Sequence, residues 1–505
     1  MSGSPGWPPG RTTFLGIDLG TSGLKAVLVD ETQTVLAEAA VGLRTSHPQP
    51  GWSEQNPAEW WRALEAALSQ LRSARPDALR EARALGLSGQ MHGAVLLGSD
   101  GEALRPAILW NDGRAVKECR ALEAAVPELA RIAGVAAMPG FTAPKLLWLK
   151  IHEAALFERV WKVLSPKDFL RLKLTGEAAT DMSDAAGTLW LDQAARDWSE
   201  IILAATGLAR RHMPALLEGN AAGGSVRTDL LQAWGLPGPI VVAGGAGDAA
   251  AAAIGIGAVE SGDAFISLGT SAQFFVTDDE YRPQPAAMLH AFAHALPGRW
   301  FRMAAMLNGA AVLDWIARIV GATDLGAMLN RAEADYRGPS DILFLPYLSG
   351  ERTPHNDPSA RGVFAGLHPS ASASDLVQAV LEGVAYSLLE ARHLLEAAGV
   401  RLDRVAAVGG GARSRFWMQL LAHVLGLPVI RYAGSEKGPA FGAARLARMA
   451  LTGESAAEVC IMPAMLDALQ PDAALTAAYV ERFARYRNLY RMLRPEFSRR
   501  TPGNP

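Results

Sequence analysis

A short phrase occurs twice in this chain, once in each half, and it limits the fold to two related units that each present the same turn. The first copy reads Gly16-Ile17-Asp18-Leu19-Gly20-Thr21-Ser22 and the second Ile266-Ser267-Leu268-Gly269-Thr270-Ser271. Each lies in an apolar, β-type run and is followed by another, Lys25 to Val29 and Gln273 to Val276. Each therefore predicts a hairpin whose Leu-Gly-Thr-Ser turn presents backbone N–H groups and hydroxyls. Glycine admits a ligand close to the main chain, and successive N–H groups in such a turn form an anion cradle. Two cradles from two halves of one chain point to a clamp on a polyphosphate. Only the first copy carries an aspartate, Asp18, which predicts a metal contact on one side only.

At 505 residues the chain exceeds one ordinary core, so two large domains are expected. Half of its residues are hydrophobic and 20% are charged, which supplies ample core material. A net charge of −3 argues against nucleic acid or an anionic membrane as the main partner. The two cysteines, Cys119 and Cys460, stand in no motif, so neither a disulfide framework nor a cysteine metal site is expected. That usage fits a reducing, cytoplasmic location. Residues 1–13 are rich in Gly, Pro and Ser and read as a disordered leader without the apolar core of a signal peptide. The longest apolar run, Ala249 to Val259, is far short of the roughly 20 residues of a membrane span.

Asn56-Pro57-Ala58-Glu59 predicts a helix start, with Asn as N-cap and Pro at the first helical position. Trp60, Trp61, Leu64, Leu68 and Leu71 supply its buried stripe. Ala84 to Ser88 reads as a short buried strand ending at the turn Gln90-Met91-His92-Gly93, and polar loops are expected at Trp110 to Arg114 and Asp181 to Thr188. Pro239 to Ala243 is a strand feeding a glycine-rich turn that contains Asp248. In the second half, strand Val405 to Val408 leads into Gly409-Gly410-Gly411-Ala412-Arg413 and then a helix near Phe416. Alternating strands and helices in both halves predict two α/β domains with a cleft between them, the boundary near Val259 to Gly262. The arginine-rich end, from Arg482 to Arg500, reads as a solvated helix face and a frayed terminus.

Asp248, held in Gly244-Gly245-Ala246-Gly247-Asp248, can accept a proton from a substrate hydroxyl as that oxygen attacks phosphorus. It reads equally as a cap on the alanine-rich helix that follows. The Gly409–Gly411 run offers a second close-approach site, over which a nucleotide can lie, with Arg413 stacking on a base or pairing with a carboxylate. His92 sits in a turn, placed either to hydrogen-bond a polar ligand or as a satisfied loop histidine. His290 and His294 have the spacing of a metal pair, but no Glu follows His290 and strands flank them, so no zinc site is expected. No Walker-A pattern and no Gly-x-Gly-x-x-Gly opening a helix appears.

From about Phe14 to Arg494 these residues together resemble the FGGY carbohydrate kinases, within the sugar-kinase, actin and heat-shock ATPase superfold. Gly140-Phe141-Thr142-Ala143-Pro144-Lys145 with Trp148 resembles the first family signature. Gly362 to Leu367 with Asp375-Leu376, Ala379 and Glu382 resembles the second, and Pro346 to Pro354 is family-like throughout. The resemblance implies two ribonuclease-H-like domains flanking a deep catalytic cleft. They span 14–259, with the sugar site, first phosphate loop and base, and 260–495, with the second phosphate loop and adenosine site; a tail covers 496–505. Within the family, Met91-His92, Trp110 to Arg114 and Asp181 to Thr188 are similar to members that phosphorylate D-xylulose; kinases of glycerol carry an Arg-Glu pair in place of Met-His.

By the same resemblance Asp248 is the catalytic base, and Asp18 is the carboxylate that helps position Mg²⁺, through water. Met91, His92 and Trp110 join Asp248 at the sugar. Gly20, Thr21, Ser22 and Lys25 face the phosphates of ATP from one side, Gly269, Thr270 and Ser271 from the other, and Gly409, Gly410, Gly411, Ala412 and Arg413 hold the adenosine. D-xylulose and MgATP are the implied partners, with a homodimer as the assembly common among relatives. Two departures stand out: Ala249 follows the base where relatives often place Asn, and Ala246 interrupts the glycine run. A kinase for another ketopentose or polyol is the alternative within enzymes. A non-catalytic sugar- and nucleotide-binding regulator fits less well, because Asp18 and Asp248 are both retained. An actin- or chaperone-like ATPase lacks the Met91-His92 loop.

Overall fold

Both copies of the repeated phrase close β-hairpins. Strand Thr13–Leu19 pairs antiparallel with Gly23–Asp30, and Ala264–Leu268 pairs antiparallel with Ala272–Asp278. In each half a third antiparallel strand extends the hairpin, Val35–Gly42 in the first and Trp300–Met306 in the second. A parallel strand, Ala82–Gly89 or Val405–Val408, flanks the other side of the first strand, and a second parallel strand, Val241–Ala243 or Val429–Tyr432, lies beyond it. The strand order, numbered within each half, is thus 3-2-1-4-5 in both sheets. These sheets are the two expected α/β units in this computed structural model, which describes residues 12–434 and 437–498.

Sequence alternation explains how the first sheet is covered. Leu15, Ile17 and Leu19 share one face with Leu24, Ala26 and Leu28, where Trp60, Leu64, Leu68 and Leu71 of helix Pro57–Ala74 join the same core. That helix starts as its sequence predicts, with the Asn56 side chain accepting from the Ala58 N–H at 3.0 Å. Phe14, Val27, Val29 and Ala84 point the other way, and helix Gly438–Thr452 covers them through Ala440, Phe441, Ala444 and Ala447. A helix from the second half of the chain therefore serves as the second layer of the first sheet.

Its seat is made of glycine. A Cβ on Gly16 would lie 1.9 Å from the Ala440 carbonyl oxygen, and one on Gly86 would lie 1.9 Å from that of Ala443. On its other side the same helix crosses Asp248–Ile256, where a Cβ on Gly442 would lie 1.8 Å from the Ala251 carbonyl oxygen. Main chain thus meets main chain at three points where any larger residue would force the layers apart.

Three local expectations are corrected. Thr13, assigned to the leader, is the first residue of the first strand, its hydroxyl donating to the Ala78 carbonyl at 2.8 Å; residues 1–11 lie outside the described residues. The polar stretch from Asp181 is a short buried helix, Met182–Ala186, with Asp181 as its N-cap. The last helix, Ala473–Ser498, runs through the start of the expected tail, because Tyr479, Phe483, Tyr486, Tyr490 and Phe497 form a buried stripe along it. Arg485, Arg487, Arg491 and Arg494 are on its exposed face, while Arg499 and Arg500 lie outside the described residues. Among the described residues no helix is long and apolar enough to cross a membrane.

The glycine seat yields a stability test. Gly86→Ala forces its methyl into the Ala443 carbonyl, and overpacking of this kind costs about 1–3 kcal/mol. Gly42→Ala, at a strand end where an added Cβ meets nothing within 4 Å, is the control. Thermal unfolding should show a lowered midpoint for the first and an unchanged midpoint for the second.

Candidate active site

Strand ends, turns and one helix start converge on a cavity of about 140 Å³ between the two sheets. Gly20, Thr21, Met91, His92, Trp110, Asp248 and Ala249 line it from the N-terminal half, and Ser271, Gln273, His290, Met303 and Arg352 line it from the C-terminal half. The structure thus brings all four sequence-predicted sugar residues together with Gly20 and Thr21 of the first predicted phosphate turn and Ser271 of the second.

The first turn is held tightly, the Gly20 N–H donating to the Gly23 carbonyl at 3.0 Å. Its threonine faces the sugar side. The Thr21 hydroxyl donates to Gln90 Oε1 at 2.8 Å and accepts from Trp110 Nε1 at 2.9 Å. Gln55 Nε2 donates to the Thr21 carbonyl at 2.7 Å, and Gln55 Oε1 accepts from Gln90 Nε2 at 3.1 Å and Trp60 Nε1 at 3.0 Å. One chain of hydrogen bonds therefore fixes the turn, the Gln90-Met91-His92 loop and the Trp110 ring relative to one another. Gln55 and Gln90 are functional residues that sequence reasoning did not assign; Gln90 begins the quoted turn, whereas no motif marks Gln55.

His92 adopts the left-handed backbone region with φ of 67°, uncommon for a residue with a side chain. Its carbonyl is gripped by the Lys145 ammonium at 2.8 Å and the Thr142 hydroxyl at 3.1 Å, both from the stretch that resembles the first signature. Nδ1 of its ring lies 2.7 Å from the Gly187 carbonyl, so this nitrogen carries the proton and donates. Burial lowers the His92 pKa to about 3, which keeps the ring neutral with Nε2 as an acceptor for a ligand hydroxyl. Burial also lowers Lys145 to about 7.

Asp248 opens helix Asp248–Ile256, and its Oδ1 accepts the Ala249 N–H at 2.8 Å, so it satisfies the helix start while facing the cavity. The helix is capped at Gly247, so Asp248 is its first residue rather than the expected cap. Burial, reinforced by the nearby Asp18 carboxylate, raises its pKa to about 7. The preceding Gly247 N–H donates to the Ser183 hydroxyl at 3.0 Å. Ser183 in turn donates to Asp181, a carboxylate that is ion-paired with the Lys167 ammonium at 2.8 Å. Asp181, Ser183 and Asp184 are fully buried on Lys167, which explains their dense polar spacing in the sequence.

Asp18 lies outside the small cavity. With Lys25, Lys437 and the start of helix Gly438–Thr452 it lines a neighbouring cavity of about 370 Å³. It accepts from the Ser88 hydroxyl at 3.0 Å, and burial raises its pKa to about 6. Lys437 went unassigned in the sequence. Ser22, Gly269 and Thr270 are exposed, and the second turn is braced from behind, the Gly309 N–H donating to the Thr270 carbonyl at 3.0 Å.

The triple-glycine turn lines neither cavity. Packing accounts for two of its glycines: a Cβ on Gly409 would lie 2.7 Å from the Leu268 carbonyl oxygen, and one on Gly411 2.8 Å from the Leu268 side chain. Gly410 and Arg413 are exposed, Ala412 is buried, and Ser414 caps the helix that follows, starting at Arg415. His290 and His294 are buried and held neutral by desolvation. Among the described residues no cluster of three His, Cys, Asp or Glu side chains could hold a metal ion.

Comparison with known proteins agrees with this geometry. Residues 13–255 match the N-terminal domain of the FGGY family of carbohydrate kinases, and residues 264–451 match its C-terminal domain. The chain is 47% identical over 483 residues to the xylulose kinase of Escherichia coli K12, covering 95% of this chain and 99% of that one. A solved "xyloylose kinase" from Brucella ovis superposes with a TM-score of 0.92 at 47% identity, covering 96% and 99%. The xylulose kinase of Rhodospirillum rubrum gives 0.88 at 29% identity, covering 96% and 100%. With both domain models of the family matched and nearly all of its length covered, the chain belongs to the FGGY family of carbohydrate kinases.

Proposed function

We propose that this protein transfers the γ-phosphoryl group of ATP to the terminal hydroxyl of D-xylulose, giving D-xylulose 5-phosphate and ADP. The observation that carries this reading is the joining of Met91, neutral His92, Trp110 and Asp248 around one cavity too small for a nucleotide. Such a cavity suits one small polyol, and the near full-length relatives named for xylulose specify which.

His92 Nε2 accepts a sugar hydroxyl, and Trp110 provides an apolar wall whose angle is set through Thr21. The Asp248 carboxylate takes the proton of the attacking hydroxyl as its oxygen forms the new bond to phosphorus. The bond from phosphorus to the ADP oxygen breaks, and its electron pair leaves with ADP. Gly20–Ser22 and Gly269–Ser271 offer backbone N–H groups to the phosphates from opposite sides, with Lys25 beside the first turn and the Gly409–Arg413 turn as the adenosine support. The residues fit a bound Mg²⁺, since Asp18 and Asp248 are two desolvated carboxylates, and the charge of Asp18 raises the cost of ionising Asp248. Asp18 would hold the ion through water, and when bound it neutralises charge on the phosphate oxygens. Ala249, with no side-chain donor, leaves the sugar end of the base without the amide that relatives often carry.

The first test is ADP release by the purified protein with MgATP, with and without D-xylulose and across a panel of ketoses and polyols. Strong stimulation by D-xylulose over the panel is expected; slow hydrolysis indifferent to every sugar would defeat the reading. Asp248→Asn keeps the shape and removes the base, so kcat should fall about 10²–10⁴-fold while MgATP still binds. The base acts only when ionised, and its pKa is raised to about 7. Turnover should therefore fall as pH drops through about 7 and level off above it. A profile flat from pH 5 to 8 would remove Asp248 from the role.

A further inference from the structure

We infer that Arg352, carried by the C-terminal half, donates hydrogen bonds to oxygens of the bound sugar at the end of the cavity away from Asp248. The inference rests on reading this cavity as a sugar site, and it makes that site complete only when both halves meet.

The side chain is half-buried, and its guanidinium carbon lies 5.9 Å from the centre of the Trp110 ring, which belongs to the N-terminal half. Beyond that ring contact, the guanidinium has no hydrogen-bond or ion-pair partner among the described residues. The adjacent Glu351 does not fill the need. Its carboxylate accepts the Leu307 N–H at 2.6 Å, the Arg352 backbone N–H at 2.8 Å and Asn308 Nδ2 at 3.4 Å. A desolvated guanidinium without acceptors is costly, and a ketose presents hydroxyl and carbonyl oxygens as acceptors.

Location separates a sugar role from a phosphate role. The charge of Arg352 bears on His92 and His290, whereas the groups that act on Asp248 are Asp18 and its own helix start. The arginine therefore sits at the histidine end, while Asp18 and Lys25 mark the phosphate side. The same corner holds a second unmet polar group. His290 is fully buried, lines the cavity, and neither of its ring nitrogens has a partner among the described residues. Phe141 and Phe292 flank it at 5.8 and 5.1 Å, so a ligand in the cavity is the polar neighbour available to this corner.

Steady-state kinetics on the full chain test the assignment, using the sugar of the panel that the wild type phosphorylates fastest. Arg352→Met should raise the KM for sugar about 10- to 100-fold, the loss of a charged hydrogen bond. The KM for MgATP should stay within about twofold, and an unchanged thermal unfolding midpoint reports an intact fold. Arg352→Lys should recover part of the loss. Preference for the ketose over its 1-deoxy analogue should narrow in the Met variant, a readout that a merely structural role would not move. A sugar KM unchanged in both variants, or an equal rise in the KM for MgATP, overturns the inference in favour of no role or a phosphate role. A wild type that no sugar stimulates defeats the sugar-kinase reading itself and this inference with it.

Discussion

The arrangement depends on the missing side chains of Gly16, Gly86 and Gly442. Through them one helix lies directly on the main chain of the first sheet and on the helix that begins at Asp248. The contact is made of small residues and carbonyl oxygens, so the halves meet through surfaces with few rotamers to rearrange. Asp248 sits at the end of one of the two crossing helices, and Lys437 directly precedes the other. The crossing thus lies beside both cavities, the small one at Asp248 and the larger one at Lys437.

Around this joint the polar interior is arranged as two braces. One runs from Trp60 through Gln55, Gln90 and Thr21 to Trp110 and fixes the sugar wall. The other gathers Asp168, Asp181 and Asp184 on Lys167, buried with them. Three carboxylates exceed the charge of one ammonium, and burial pushes the Asp184 carboxyl up against the pull of Lys167. A buried cluster of this kind is weak evidence for stability but a strong constraint on geometry, because removing one member strands the others. Its output is one hydrogen bond, from Gly247 to Ser183, immediately before the base.

Much of this was legible in the sequence where the signal is local. The repeated turn, the Asn56 cap and the alternation of Leu15, Ile17 and Leu19 each follow from short-range chemistry, and the two-sheet fold follows from their repetition. The Asp181 stretch misled because its polarity reads as a loop, whereas Lys167, which takes it into the core, is distant in sequence. The glycines of the joint were invisible as a joint, since nothing local says that Gly16 faces Ala440. Arg352 and His290 were quoted as motif and as spacing, yet their meeting across the cavity is a tertiary fact. The Gly409–Gly411 turn shows the converse: a local pattern whose first and third glycines are required by packing on Leu268.

Duplication of the sheet makes one asymmetry quantifiable residue by residue. Asp18 stands opposite Lys25 in the first hairpin, and at the corresponding place in the second Ser267 stands opposite Gln273. A charged rung in one copy thus answers a neutral rung in the other, and Gln273 from the neutral rung reaches the small cavity. The two copies thus differ in charge at the same rung of the same hairpin. The second hairpin therefore meets the cavity through a side chain that can both donate and accept hydrogen bonds without bringing a charge to that wall.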